Sequence, residues 1–207
     1  MKRILGILVL VLAAFAVYWF VFKKDKSEVD SPKESPVAVM KHSEAFNAQI
    51  DKVIENYLGM KDAFVIADTA TVKLKAVGFI DALDNIDMNE LEKDTALIVE
   101  IVQATLRDLK ANTESILNQN DLTEMRRDFS SLTAMMYPTF FTAVNYEGKK
   151  LYFQHCPMAF EGGVGANWIS GESEVVNPYL GTNHPKYKGT MLHCGEVKDS
   201  IENKNTL

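Results

Sequence analysis

The amino-acid sequence predicts a mainly α-helical protein: an antiparallel four-helix bundle with a C-terminal lobe of loops and short strand, preceded by a single transmembrane helix. Three observations predict it. An uncharged apolar run opens the chain, about a hundred residues then repeat apolar side chains every three or four positions, and the remainder is rich in Gly, Pro and aromatic residues without helical period. With 47% hydrophobic and 24% charged residues in a chain of 207, there is apolar material for a real core.

The first element, residues 1–26, reads as a membrane anchor with basic flanks. From Ile4 to Phe22 the chain carries 19 residues without a charge, which as a helix spans about 28 Å, close to the thickness of a hydrocarbon core. Tyr18 and Trp19 fall near one end, where amphipathic rings favour the interface. Lys2 and Arg3 would also suit a cleaved signal peptide. Against cleavage, the apolar run exceeds an ordinary signal core and ends in Tyr-Trp-Phe-Val-Phe before Lys23-Lys24, with no small-residue cleavage site after it. Residues 27–43 follow as a flexible linker of Ser, Pro, Lys and Glu, too polar to offset its own chain entropy. His42 at its end reads as a solvated linker histidine.

The expected bundle occupies 44–145. Ser43 caps a first helix whose apolar face is Phe46, Ile50, Val53, Ile54 and Tyr57, and Gly59 closes it. A second runs over 61–83 with Phe64, Ala67, Leu74, Val77 and Ile80 as its stripe. Asn89 and Glu92 form a capping box for a third, with Leu91, Ile98, Val102, Thr105, Leu106 and Leu109 facing inward. Asp121 and Glu124 cap a fourth, where Leu122, Met125, Phe129, Leu132 and Met136 keep three-four spacing until Pro138. Short connections between four amphipathic helices argue for antiparallel packing. No helix carries Glu-x-x-His, so a di-iron bundle is excluded.

The lobe, 146–207, opens with a turn at Tyr146–Lys150 and a strand from Leu151 to His155. It holds both cysteines and three of the four histidines. Two clusters stand out, His155-Cys156-Pro157-Met158 and Met191-Leu192-His193-Cys194. Thiolate with thioether is the donor set of a soft ion such as Cu(I) or Ag(I), and imidazole is compatible with it. Zinc would need four ligands, available only as Cys156, Cys194, His155 and His193. Adjacent residues of an extended segment point to opposite faces, so His155 and Cys156 do not both ligate without a turn, whereas Cys156 with Met158, and Met191 with His193, share a face. A site drawing one or two donors from each cluster, with methionine taking part, therefore fits Cu(I) or Ag(I) better than zinc, and the candidate donors are His155, Cys156, Met158, Met191, His193 and Cys194. A disulfide between Cys156 and Cys194 is the alternative, as are two inert thiols without any metal, and disulfide and metal site are compatible as redox states of one pair.

Remaining motifs have structural readings. Gly162-Gly163-Val164-Gly165 lacks dinucleotide-binding spacing and supplies positive-φ turns. Asn177-Pro178-Tyr179 is a turn satisfied by the Asn side chain, Trp168 packs the lobe against the bundle, and His184 is a turn residue. No Gly-x-Ser-x-Gly or Cys-x-x-Cys is present, so no enzyme is expected. The N-terminal 26 residues carry a net +4 and leave −10 on the rest, an acidic body that repels nucleic acid.

From Tyr57 to Val197 the chain resembles an uncharacterised helical-domain family of bacterial exported proteins, a domain of unknown function that also occurs fused to adaptor subunits of copper/silver efflux systems. The resemblance rests on Tyr57-Leu58-x-x-Lys61-Asp62-Ala63, Arg127-Asp128-Phe129-Ser130-Ser131-Leu132, Cys156-Pro157-Met158-Ala159, Trp168-Ile169-Ser170, Asn177-Pro178-Tyr179-Leu180-Gly181 and Met191-x-x-Cys194-Gly195-Glu196-Val197. It implies copper or heavy-metal handling through Cys156, Met158, Met191 and Cys194. The expected protein is therefore a single-pass inner-membrane protein with its body in the periplasm, binding Cu(I) and meeting an efflux adaptor or another copper-handling protein. The competing expectation is a non-catalytic interaction module stapled by a disulfide.

Overall fold

The structure, a computed structural model, describes residues 41–202. The expected anchor and residues 27–40 of the expected linker lie outside the described residues, among which no helix is long and apolar enough to cross a membrane. Helices α1 (Glu44–Val65), α2 (Thr69–Asp84), α3 (Met88–Leu91), α4 (Ala96–Asn118), α5 (Leu122–Met135) and α6 (Phe141–Ala143) come first. Strands β1 (Leu151–Phe160), β2 (Val164–Ser170) and β3 (Glu196–Ile201) form an antiparallel sheet in the order β2-β1-β3. The described chain is thus mainly helical, with a small three-stranded sheet at its C-terminal end.

Each long helix starts where a side-chain oxygen satisfies an orphan amide. Ser43 accepts from Phe46 N, Asp68 from Thr71 N, Thr95 from Ile98 N, and Asp121 from Thr123 N and Glu124 N. Ser43 and Asp121 are the expected caps; Asn89 is not one, because Asp87 caps the one-turn α3 and Thr95 starts a separate α4. Gly59 does not close α1 either. It lies inside the helix beside Lys75 of α2, as Gly78 of α2 lies against Asn56 of α1, so small residues let the two helices approach. The chain turns instead at Ala67, whose φ is 60°.

Moving that boundary changes the apolar face of α2. Its buried residues are Val72, Ala76, Phe79, Ala82 and Leu83, whereas Leu74 and Val77 of the expected stripe are 69% and 55% exposed. Phe64 belongs to α1 and Ala67 to the turn. Pro138 does not end the fourth helix outright. Tyr137 before it leaves helical geometry (φ −115°, ψ 127°), as a residue preceding proline is pushed to do, yet a turn of wide helix continues to Phe140 and then α6. His42 is buried, its ring 4.6 Å from Phe46, rather than solvated.

In packing, α1 lies on α2, α2 on α4 and α4 on α5, while β2 sits against α5 and α1. One buried cluster runs through helices and sheet alike. At its centre Phe129 lies 4.9 Å from Tyr57, 5.0 Å from Phe64 and 6.2 Å from Tyr179, ring centre to ring centre, and Tyr179 meets Trp168 edge-on at 6.0 Å. The tyrosine hydroxyl of Tyr57 shares a 2.6 Å hydrogen bond with Thr133 and accepts from Ile169 N of β2 at 3.1 Å. The last carbonyls of α1, which no helical amide can reach, are met from elsewhere: Phe64 O by Arg126 Nη2, Val65 O by Thr182 N and Ile66 O by Asn183 Nδ2.

Candidate metal centre

The two cysteines come together. Cys156 is buried on the central strand β1, Cys194 precedes β3, and their sulfurs lie 2.8 Å apart with both thiols free. Three local features bring them there. The β1–β3 register pairs His155 with Glu196 and Gln154 with Val197, which carries the chain just before β3 alongside Cys156. Gly195 allows the approach: its φ is +141°, and a Cβ there would lie 2.7 Å from His155 O and 2.9 Å from Trp168. Asn177 holds the turn from Met191 to Cys194, its backbone amide donating to Leu192 O at 2.8 Å and its Nδ2 donating to Cys194 O at 2.8 Å.

Asn177 also accepts, through Oδ1, from Tyr179 N and Leu180 N. The Asn-Pro-Tyr turn is therefore closed by the Asn side chain, and the same side chain reaches across to the cysteine turn. Burial, followed by the hydrogen bond and charge of Cys156, pushes the Cys194 thiol up to about 11. At neutral pH Cys194 is a protonated thiol.

The other expected ligands do not join the pair as one cluster. His155 projects from the face of β1 opposite Cys156, where Nδ1 donates to Asn167 Oδ1 at 2.7 Å and the ring lies over Gly165. His193 is exposed, with Nδ1 donating to Val175 O at 2.7 Å and Glu174 4.0 Å away. Cys156 and Met158 do not share a face. The register with β2 shifts between Cys156 and Phe160, which breaks the two-residue alternation, so Cys156 is buried while Met158 is 40% exposed and opens into a cavity that neither cysteine lines. Met191 is half-buried against the core, three residues before Cys194 in a turn closed by Cys194 N donating to Met191 O at 3.0 Å. Among the described residues no three His, Cys, Asp or Glu side chains converge as metal ligands, so the four-ligand Cys₂His₂ set for zinc is not assembled.

The loop readings hold in part. Gly162 and Gly163 have φ of 77° and 76°, His184 Nδ1 accepts from Lys186 N and Tyr187 N, and Trp168 is fully buried. The strand expected over 151–155 continues to Phe160 and forms a hairpin with β2, so the segment carrying Cys-Pro-Met is sheet rather than loop. Sequence reasoning missed Arg126, buried on α5. Its spacing, four residues after Leu122 and three before Phe129, places it on the apolar face and was the available signal.

Residues 53–147 match the family model Protein of unknown function (DUF3347). The matched segment runs from within α1 to the turn before β1. It contains Tyr57, Arg126 and Thr133, and it stops short of both cysteines and of the Cys-Pro-Met, Asn-Pro-Tyr and Met-x-x-Cys-Gly motifs. No curated protein and no solved structure matches the chain.

Proposed function

We propose that the protein is a non-enzymatic binder of a soft monovalent ion, Cu(I) or Ag(I), held by the thiolates of Cys156 and Cys194. The observation that carries the reading is the convergence of two sulfur donors, from segments 38 residues apart, with no His, Asp or Glu joining them as a third ligand among the described residues. Thiolates select soft ions, and two of them satisfy a low-coordinate monovalent ion but leave zinc two ligands short. Met191, three residues before Cys194 in the same turn, is the thioether this reading takes as a neutral third donor. His155, His193 and Met158 are left out for the geometric reasons above. Metal–sulfur bonds of about 2.3 Å set two sulfurs about 3.8–4.6 Å apart between tetrahedral and linear coordination, so loading requires the pair to open by roughly 1 Å or more.

In this reading the four long helices form an antiparallel bundle carrying the sulfur lobe, the apolar run at 4–22 anchors the chain in the inner membrane with the body outside the cytoplasm, and the partner is a metal-efflux adaptor or another copper-handling protein. The resemblance to modules fused to such adaptors supports it.

The 2.8 Å separation favours a second reading, in which the pair loses two protons and two electrons to an external oxidant and closes as a disulfide staple of the lobe. Titration of the reduced full-length chain in detergent with Cu(I), against a chromogenic chelator, separates the two. The metal reading expects one equivalent bound, lost in Cys156→Ser, weakened about tenfold in Met191→Leu, and unchanged in Met158→Leu. Because the ligating thiols must give up their protons, and burial raises that of Cys194, affinity rises with pH below the thiol titration. Wild-type binding by Cys156→Ser, or none by the reduced protein, leaves the staple.

A further inference from the structure

Among the described residues, Arg126 is a buried cation without a carboxylate partner. It is 4% exposed on α5, its Nη2 donates to Phe64 O at 2.8 Å, and its Nε meets no acceptor. The acid of its own turn, Glu124, pairs with Arg127 instead, at 3.4 Å. Burial lowers the guanidinium to about 10, and no carboxylate among the described residues pairs with it. Burying a charge in this way is costly unless something of opposite sign compensates it.

The side chain lines a cavity of about 670 Å³, the size of a small-molecule site. Arg127 and Lys186 add positive charge at its walls, each lying over a ring: Arg127 is 4.6 Å from the Phe160 centroid, and Lys186 5.2 Å from that of Tyr187. Two acids line it as well, Asp121 and Glu161. Asp121 is already engaged, accepting from the first amides of α5. Much of the remaining wall is apolar, including Leu122, Met158, Phe160 and the ring of Tyr187, with Thr123 among its polar members. His184 faces the same space; its Nδ1 is an acceptor for two backbone amides, which leaves Nε2–H as a donor, and burial and the neighbouring Arg126 hold the ring below its usual range, so it is neutral at pH 7.

We propose that this cavity binds a small organic oxyanion, a carboxylate or phosphate on an apolar or aromatic body, with Arg126 as its counter-charge and the Phe160–Tyr187 wall against the body. The site is independent of the sulfur pair, which does not line it.

The test uses the full-length chain and three probes of one shape: naphthoate, naphthyl phosphate and the neutral naphthylmethanol, followed by calorimetry and thermal shift. The expected result is binding of one or both anions and none of the alcohol, and which anion binds identifies the head group. Arg126→Gln that remains folded by circular dichroism loses this binding. Should that variant fail to fold, the exposed Lys186→Glu decides, binding the anion about tenfold more weakly. Equal binding of the alcohol, no binding of any probe at millimolar concentration, or wild-type affinity in the deciding variant overturns the proposal.

Discussion

Asn177 has a small side chain with three hydrogen bonds and a backbone amide with a fourth. It is fully buried, closes its own turn by accepting from Tyr179 N and Leu180 N, and fixes Cys194 through the carbonyl of that residue while its backbone amide fixes Leu192. Alanine would leave two amides and a carbonyl without partners in a buried setting. Asn177→Ala is therefore expected to cost about 3 kcal/mol in urea unfolding, and to slow closure of the Cys156–Cys194 disulfide under a defined oxidant. A cost under about 1 kcal/mol with unchanged closure would mean that Pro178 and Gly195 hold the turn alone. Arg126 is the opposite case, a buried cation with one nitrogen bonded to Phe64 O, a buried Nε without a partner, and a cavity beside it.

The helices show how one misplaced boundary rotates an entire face. Ending the first helix at Gly59 puts Leu74 and Val77 inside; ending it at Val65 puts Val72, Ala76, Phe79 and Leu83 inside. Stability distinguishes the two. Phe79→Ala is expected to cost about 4 kcal/mol, because the ring is fully buried and its cavity cannot close, whereas Leu74→Lys should stay within about 0.5 kcal/mol, as at most exposed positions. Chemical denaturation of the two variants checks this, and a large loss in Leu74→Lys would point to a covered face. In the sheet, the shift between Cys156 and Phe160 does similar work, sending Met158 to the oxyanion cavity while Cys156 stays at the sulfur pair.

Helical and sheet portions share one core, and the Tyr57 hydroxyl is a principal polar tie between them. It bonds Thr133 of α5 and accepts the amide of Ile169 in β2, in a fully buried position. Tyr57→Phe removes the oxygen, keeps the ring, and leaves the buried Ile169 amide without an acceptor, while Thr133 Oγ1 keeps its bond to Phe129 O. It is expected to cost about 2 kcal/mol, with hydrogen exchange of the Ile169 amide accelerated more than that of amides in α4. Uniform acceleration, or none, would show that the ring contacts to Phe129 carry the junction instead. The lobe likewise supplies partners for the carbonyls at the end of α1, through Thr182 and Asn183, so the segment matched over 53–147 contains a helix end that residues beyond it complete.

Helical class, the caps at Ser43 and Asp121, the inward faces of α1, α4 and α5, the positive φ of Gly162 and Gly163 but not of Gly165, and the Asn177 turn were readable from local order, because capping and amphipathic spacing act within one or two turns of chain. The pairing of residues 38 positions apart was readable only as a set of alternatives, since spacing states what donors exist and not which faces meet. Tertiary structure decided the rest. Close packing carried α1 through Gly59, a register shift parted Met158 from Cys156, strand pairing with Gly195 set Cys194 beside Cys156, and burial left Arg126 charged against a cavity. Each of these depends on contacts between distant segments, where packing energy overrides local preference.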